Sequence, residues 1–233
     1  MSNIWPRLLS GWLLATVLLT CSMLTAEQIP VRNLEGTLHG FLVLSTLEGK
    51  TLAAGDLTQV LHGDRVTMRL VFHFQDGSID DETTVFTQNH AFRFISDHHV
   101  QKGPSFPHPM DVTIDGSSGQ VVVKYRDDGK EKQLKDHVDL PADLANGLLP
   151  VLLQNLKPGA PETKVSYLAA TPKPRLVNLA ISSRGESPFS AAGLRYKATQ
   201  YVLKTEIGGV AGLVAPLIGK EPKDIHIWIL GGI

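Results

Sequence analysis

Six metal-ligating side chains crowd one short stretch of this chain: His90, Asp97, His98, His99, His108 and Asp111, in a sequence with nine histidines. A zinc-type centre needs three or four such groups converging within bonding distance. The spacing works against one. His98 and His99 are neighbours, and neighbours in a strand project to opposite faces. The sequence therefore places these residues as polar side chains at a sheet rim and assigns no metal ligand. Asp80-Asp81-Glu82 offers carboxylate oxygens to calcium, but without the glycine-punctuated loop that calcium sites use. It is expected to be the solvated start of a strand.

Other chemistries find less. Ser182-Ser183-Arg184-Gly185-Glu186-Ser187 holds hydroxyls in a polar loop, without the Gly-x-Ser-x-Gly elbow that exposes a nucleophile. The acidic residues are scattered among turns, so no pair suited to glycoside hydrolysis stands out. Gly208-Gly209-Val210-Ala211-Gly212 follows a strand, as a dinucleotide fingerprint would, but no βαβ unit follows it. No cofactor is assigned. Arg175, Arg184, Arg195, Lys197 and Lys204 recur along the last third of the chain. They either meet a phosphate or lipid headgroup on one face, or are strand positions that face water.

Charge and composition narrow the classes further. Formal net charge is −1, with 42% hydrophobic and 19% charged residues. Such a chain can build a core, and it lacks the basic face of a nucleic-acid binder. The N-terminus carries an address. Arg7, the apolar run Leu8 to Leu19 and the small residues through Ala26 follow the order of a secretory signal. Residues 1–26 are read as a signal peptide forming an N-terminal helix, with 27–233 as a single β-rich domain. The alternatives are a retained N-terminal anchor or acylation at Cys21, the only cysteine. No later apolar run has spanning length, so the mature body is expected not to cross a membrane. The expected location is periplasmic or extracellular.

From Leu34 onward the hydrophobic pattern is period-two with turn punctuation, the mark of antiparallel strands. Arg65 to Phe74 alternates most cleanly, and Asp76-Gly77 marks a hairpin. Strands are expected over 34–46, 57–61, 65–74, 79–86, 91–100, 110–115, 120–126 and 131–138. After this meander Asp139-Leu140-Pro141-Ala142-Asp143 reads as a helix entry, with Leu144, Leu148, Leu149, Leu152, Leu153 and Leu156 on one face. Pro150 is expected to kink or split that helix. Strands resume over 164–170 and 175–182, a loop over 183–192 follows, and Leu194 opens a long strand with a bend near Thr199. The connection Ile207 to Gly219 is too apolar for an ordinary loop. A last strand covers 225–229.

An exported meander, one leucine-rich helix after mid-chain and further strands behind it resemble the periplasmic lipoprotein-carrier superfamily of LolA and LolB. The chain is also similar to uncharacterised bacterial secreted families. The segments that carry this are Asp139 to Asp143, Thr171-Pro172-Lys173-Pro174-Arg175, and Ile207 to Leu217. The resemblance implies a mainly β (α+β) fold: a curved antiparallel sheet, or open half-barrel, with one or two helices on its concave face. Proteins of that kind are expected to continue beyond Ile233 with strands that complete the sheet, so either Ile233 closes a smaller sheet or the chain is incomplete.

The function expected from this reading is an envelope binding or carrier protein, holding an apolar or lipid-like ligand between sheet and helix. Its site is assigned to Leu148 and Leu152 of the helix and Tyr201 and Leu203 of the long strand. Ile207, Val210, Leu213 and Leu217 of the apolar connection complete it, unless that connection only caps the sheet. The alternatives are an envelope assembly factor that meets a partner protein through the connection and a sheet edge, and an envelope hydrolase built on Ser187 and His98.

Overall fold

The computed structural model describes residues 28–157, 159–170, 172–191, 194–206 and 222–230. The expected signal segment 1–26 and the apolar connection from Ile207 to Gly219 lie outside them.

The fold is mainly β. Eight strands run in sequence order as one antiparallel sheet that does not close into a barrel: β1 (Leu38–Ser45), β2 (Thr51–His62), β3 (Arg65–Phe74), β4 (Ile79–Asn89), β5 (Ala91–Lys102), β6 (Met110–Asp115), β7 (Gln120–Asp127) and β8 (Lys130–His137). Turn chemistry fixes this order. The β7–β8 hairpin closes through Asp128 and Gly129, with φ of 48° and 74°, the two left-handed positions that a tight two-residue hairpin demands.

A helix, α1 (Leu149–Asn155), leads to a second sheet: β9 (Thr163–Ala169), β10 (Arg175–Ala191), β11 (Leu194–Glu206) and β12 (Ile225–Leu230), in the order β12-β11-β10-β9. One hydrophobic cluster joins the layers. Leu57, Val66, Met68 and Phe86 of the large sheet meet Leu152 and Leu153 of α1 and Leu179, Ile181 and Leu203 of the small sheet. A second cluster joins Val112, Ile114, Val121 and Val123 to Leu144 and Leu168. The helix therefore shares one core with strands of both sheets.

Two expectations are corrected. The helix does not begin at Asp139-Leu140-Pro141. Pro150 lacks an N–H, which costs nothing in a first turn, and α1 starts at Leu149 with Pro150 in that turn. The preceding residues serve β9. Asp143 accepts from Ser166 N and Oγ at 2.9 and 3.1 Å, and Ala145 N donates to Ser166 O at 2.8 Å. The expected loop over 183–192 is strand up to Ala191. β9 pairs with β10 only between Arg175 and Ile181, so Pro188 sits where that side of the strand has no ladder to interrupt. The irregularity expected near Thr199 lies on the partner strand, where the register shifts between Ser183 and Glu186, opposite Tyr201 and Thr199.

Candidate functional site

Side chains directly opposite each other in a ladder share a face, so register alone assembles the inner face of the large sheet. Across β3, β4, β5 and β6 one row reads Met68, Thr84, Asp97, Ile114 and the next reads Leu70, Glu82, His99, Val112. A third reads Phe72, Asp80, Gln101, Met110. Every row is apolar on β3, polar on β4 and β5, and apolar again on β6. The result is a polar island in an apolar inner face, built entirely from the middle pair of strands.

Within the island the bonding is dense. Asp80 receives His99 Nε2–H at 2.6 Å on Oδ1 and Gln101 Nε2–H at 2.9 Å on Oδ2. Thr84 Oγ1 donates to Asp97 Oδ1 at 2.7 Å, and Asp97 is only 2% exposed. Glu82 accepts the backbone N–H of Gly147. Gly147 has φ of 64°, and a Cβ there would collide with Thr84 Oγ1. A glycine is what lets the segment before α1 lie directly on the island.

Three ionisable groups are displaced from their ordinary ranges. Burial pushes the Glu82 carboxyl up to about 8, reinforced by Asp97 and opposed by His99. Burial likewise raises Asp97 to about 6, against the Thr84 hydrogen bond and His99. For His99 burial disfavours the imidazolium, but the Asp80 hydrogen bond and the surrounding carboxylates outweigh it and raise the group to about 9. Near neutral pH the island thus holds an Asp80–imidazolium pair beside two carboxyls that share protons.

A cavity of about 130 Å³, partly open to solvent, lies against this island. Asp97, His99, Gln101, Asn146 and Tyr167 give it a polar wall, and Met110, Val112, Ile114, Leu168 and Ala170 an apolar one. Asn146 is committed to structure. It caps β9 like a further strand residue, taking Leu168 N at 2.8 Å and donating to Leu168 O at 3.0 Å. Tyr167 differs. Its side chain is partly buried, and that burial, followed by the Glu82, Asp97 and Asp80 charges, raises its pKa. Yet the hydroxyl has no hydrogen-bond partner among the described residues, and the side chain faces the cavity. The buried amides of the same sheet are matched by contrast: Gln59 Nε2 donates to Glu35 Oε2 at 2.9 Å, and Gln88 brackets the Glu35 backbone.

The residues singled out from sequence fall in several places. Leu148, Leu152, Tyr201 and Leu203 come together in the main core cluster and do not line the cavity. Ile207, Val210, Leu213 and Leu217 lie outside the described residues. His98 and His99 do face opposite ways: His98 Nε2 lies 3.1 Å from Asp111 Oδ1 on the exposed face. Asp81 likewise turns outward, to a bidentate pair with Arg69 at 2.7 and 2.9 Å. Asp80, Glu82 and His99, however, lie half-buried on the inner face, which corrects the expectation of a solvated strand start and a sheet rim. Among the described residues no three histidine or acidic side chains converge as a metal site. Ser187 Oγ is buried without a hydrogen-bond partner among them, so it forms no pair with a histidine. Lys197 and Lys204 pair loosely with Glu186 and Asp224 at 3.9 Å. No described helix is long and apolar enough to cross a membrane.

Sequence reasoning misses the island when the 80–82 and 97–99 runs are weighed one at a time. The signal is the parity shared by Asp80, Glu82 and Thr84 and by Asp97, His99 and Gln101, which a hairpin at 89–91 brings opposite each other. No family model, curated protein or solved structure matches the chain.

Proposed function

We propose that the protein is a binding or carrier protein of the cell envelope, and that its ligand is a small amphipathic molecule. The ligand occupies the cavity between the polar island and β9. The observation that carries this reading is the cavity itself, with Asp97, His99, Gln101 and Tyr167 on one wall and Met110, Val112 and Ile114 on the other. The two-sided lining supports an amphipathic occupant. Size limits it: cavities of about 150 Å³ take benzene, so a space of about 130 Å³ suits a few heavy atoms or one end of a longer lipid-like chain. The envelope location rests on the N-terminal signal pattern.

The test is chemical recovery. Protein isolated without detergent, then denatured and extracted, should release a small molecule in proportion to protein. Ala170→Phe, which would fill the cavity, should release little. An empty extract from the wild type, or equal recovery from both, contradicts the reading.

A second reading, an assembly factor, has its own support. β1 is an edge strand of the large sheet and exposes Phe41 (79%) and Val43 (66%), a surface open to strand addition by a partner. Light scattering on the wild type and on Phe41→Ser separates the two. Concentration-dependent association lost in the variant favours assembly, and an unchanged monomer counts against it.

A further inference from the structure

Four strands end the two sheets: β1, β8, β9 and β12. An open edge presents unpaired N–H and C=O groups, and soluble proteins guard such edges with charge, proline or a covering segment. β8 is guarded by Lys130, Glu131, Lys132, Lys135 and Asp136. β9 is covered, through the Leu144–Ser166 bridge and through Asn146 on Leu168. β12 is flanked on both sides by residues outside those described. β1 has no guard. Its sequence, Leu38-His39-Gly40-Phe41-Leu42-Val43-Leu44-Ser45, holds no proline, lysine, arginine or acid. Its one ionisable side chain, His39, is turned back to Asp56 of β2 at 3.2 Å. On the side away from β2, none of its backbone groups is hydrogen-bonded among the described residues.

Apolar exposure gathers at the same edge. Twelve large hydrophobic side chains are exposed among the described residues, and six of them fall on β1 or within four residues of it: Leu34, Leu38, Phe41, Val43, Leu44 and Leu47. Exposed leucines scattered singly mean little, but apolar residues clustered on one edge mark a contact surface. The strand is also complementary to itself. Antiparallel pairing with a second copy, about a two-fold axis at Leu42, sets Phe41 opposite Val43 twice, an aromatic–β-branched pair. It sets Gly40 opposite Leu44, bulk beside a residue without a side chain, and His39 opposite Ser45, so no charge meets a like charge. We propose that β1 is a self-association edge, at which two copies of this chain pair β1 to β1 in that register and extend the large sheet into one another. Such a contact is isologous and closes at the dimer. It rests on the assembly reading above, whose partner it names, and is independent of the cavity. Two paired edges bury less than the about 1,200–2,000 Å² of a standard interface, so the dimer should be weak, with a dissociation constant of the order of 10–100 μM.

The experiment is sedimentation equilibrium of the full chain between micromolar and millimolar concentration. The wild type should pass from monomer to dimer and stop there. Phe41→Lys, at a side chain that is 79% exposed and fills no core, should raise the dissociation constant about tenfold or more. Adding Val43→Glu to that variant should recover most of the loss, because each lysine then faces a glutamate of the other copy. Leu230→Lys, on β12, should leave the dimer as in wild type. A dimer that survives Phe41→Lys, or is lost in Leu230→Lys, overturns the β1 assignment while leaving assembly through another surface. Growth beyond the dimer overturns the isologous pairing, and no recovery in the double variant overturns the register. A wild type that stays monomeric throughout overturns both the pairing and the assembly reading, and that measurement needs no variant to fold.

Discussion

Asp80 and His99 meet diagonally across the β4–β5 ladder, Oδ1 to Nε2 at 2.6 Å, although their directly opposite partners are Gln101 and Glu82. The diagonal contact leaves Glu82 without the imidazole hydrogen bond that its register position would offer. One carboxylate is thereby neutralised and its neighbour two residues on is stranded in a buried site. The acid–base character of the inner face comes from that choice of partner.

Glu82 should make the protein less stable as pH rises. Its carboxyl titrates at about 8 when folded and near 4.3 when unfolded, so the unfolded state loses its proton first. The resulting penalty is absent below the unfolded value and grows as pH rises toward the folded one. Glu82→Gln removes it. The melting temperature of Glu82→Gln relative to wild type should climb by several degrees between pH 5 and pH 8, of the order of a few kcal/mol. A flat difference across that range would show that Glu82 is not held protonated.

His99 carries the opposite sign. Its folded value is raised to about 9 from an unfolded value near 6.5. Its stabilisation is fully present below about pH 6.5 and fades as pH climbs through 9. In His99→Asn the melting-temperature deficit against wild type should therefore be largest at pH 6 and shrink above pH 9. NMR titration of the His99 ring should show the same raised value, and its return to the ordinary range in Asp80→Asn would identify the cause.

The turn before α1 should tolerate no side chain. Gly147→Ala combines a left-handed backbone with a collision at Thr84 Oγ1, which together should cost about 2 kcal/mol or more. Denaturant titration measures the loss. A second readout is the Thr84–Asp97 hydrogen bond, whose disruption should appear as a lost slowly exchanging hydroxyl proton.

Asn146 should act through β9 and not through the ligand. Asn146→Ala leaves the Leu168 amide and carbonyl without their side-chain partners, at a cost of about 1–3 kcal/mol. Amide hydrogen exchange at Leu168 should accelerate by about tenfold or more, while exchange in β2 and β3 stays as in wild type.

How far the sequence reaches depends on whether local pattern or register decides. β3 and β6 are legible to the residue, because alternation and flanking turns fix a strand by itself. The short helix is not, since leucines at helical spacing also serve a segment that lies along β9 through Asp143 and Asn146. The 183–191 strand is hidden because its pairing partner, β11, overrides a Gly- and Pro-containing composition. Leu148, Leu152, Tyr201 and Leu203 do share an interior, as their spacing implies, but they fill it against one another. The polar island cannot emerge from either run of residues alone. Each half looks like a solvated strand, and only the β4–β5 register turns the two halves to the same side.

Everything functional here turns on whether the space beside Asp97 and Tyr167 receives a small amphipathic ligand. Two-dimensional amide NMR of the full chain, titrated with 1-butanol as a small amphipathic probe, decides it. Saturable shifts should concentrate at Asp97, His99, Asn146 and Tyr167. Shifts that stay linear with concentration, or that gather at residues away from this cavity, would contradict it.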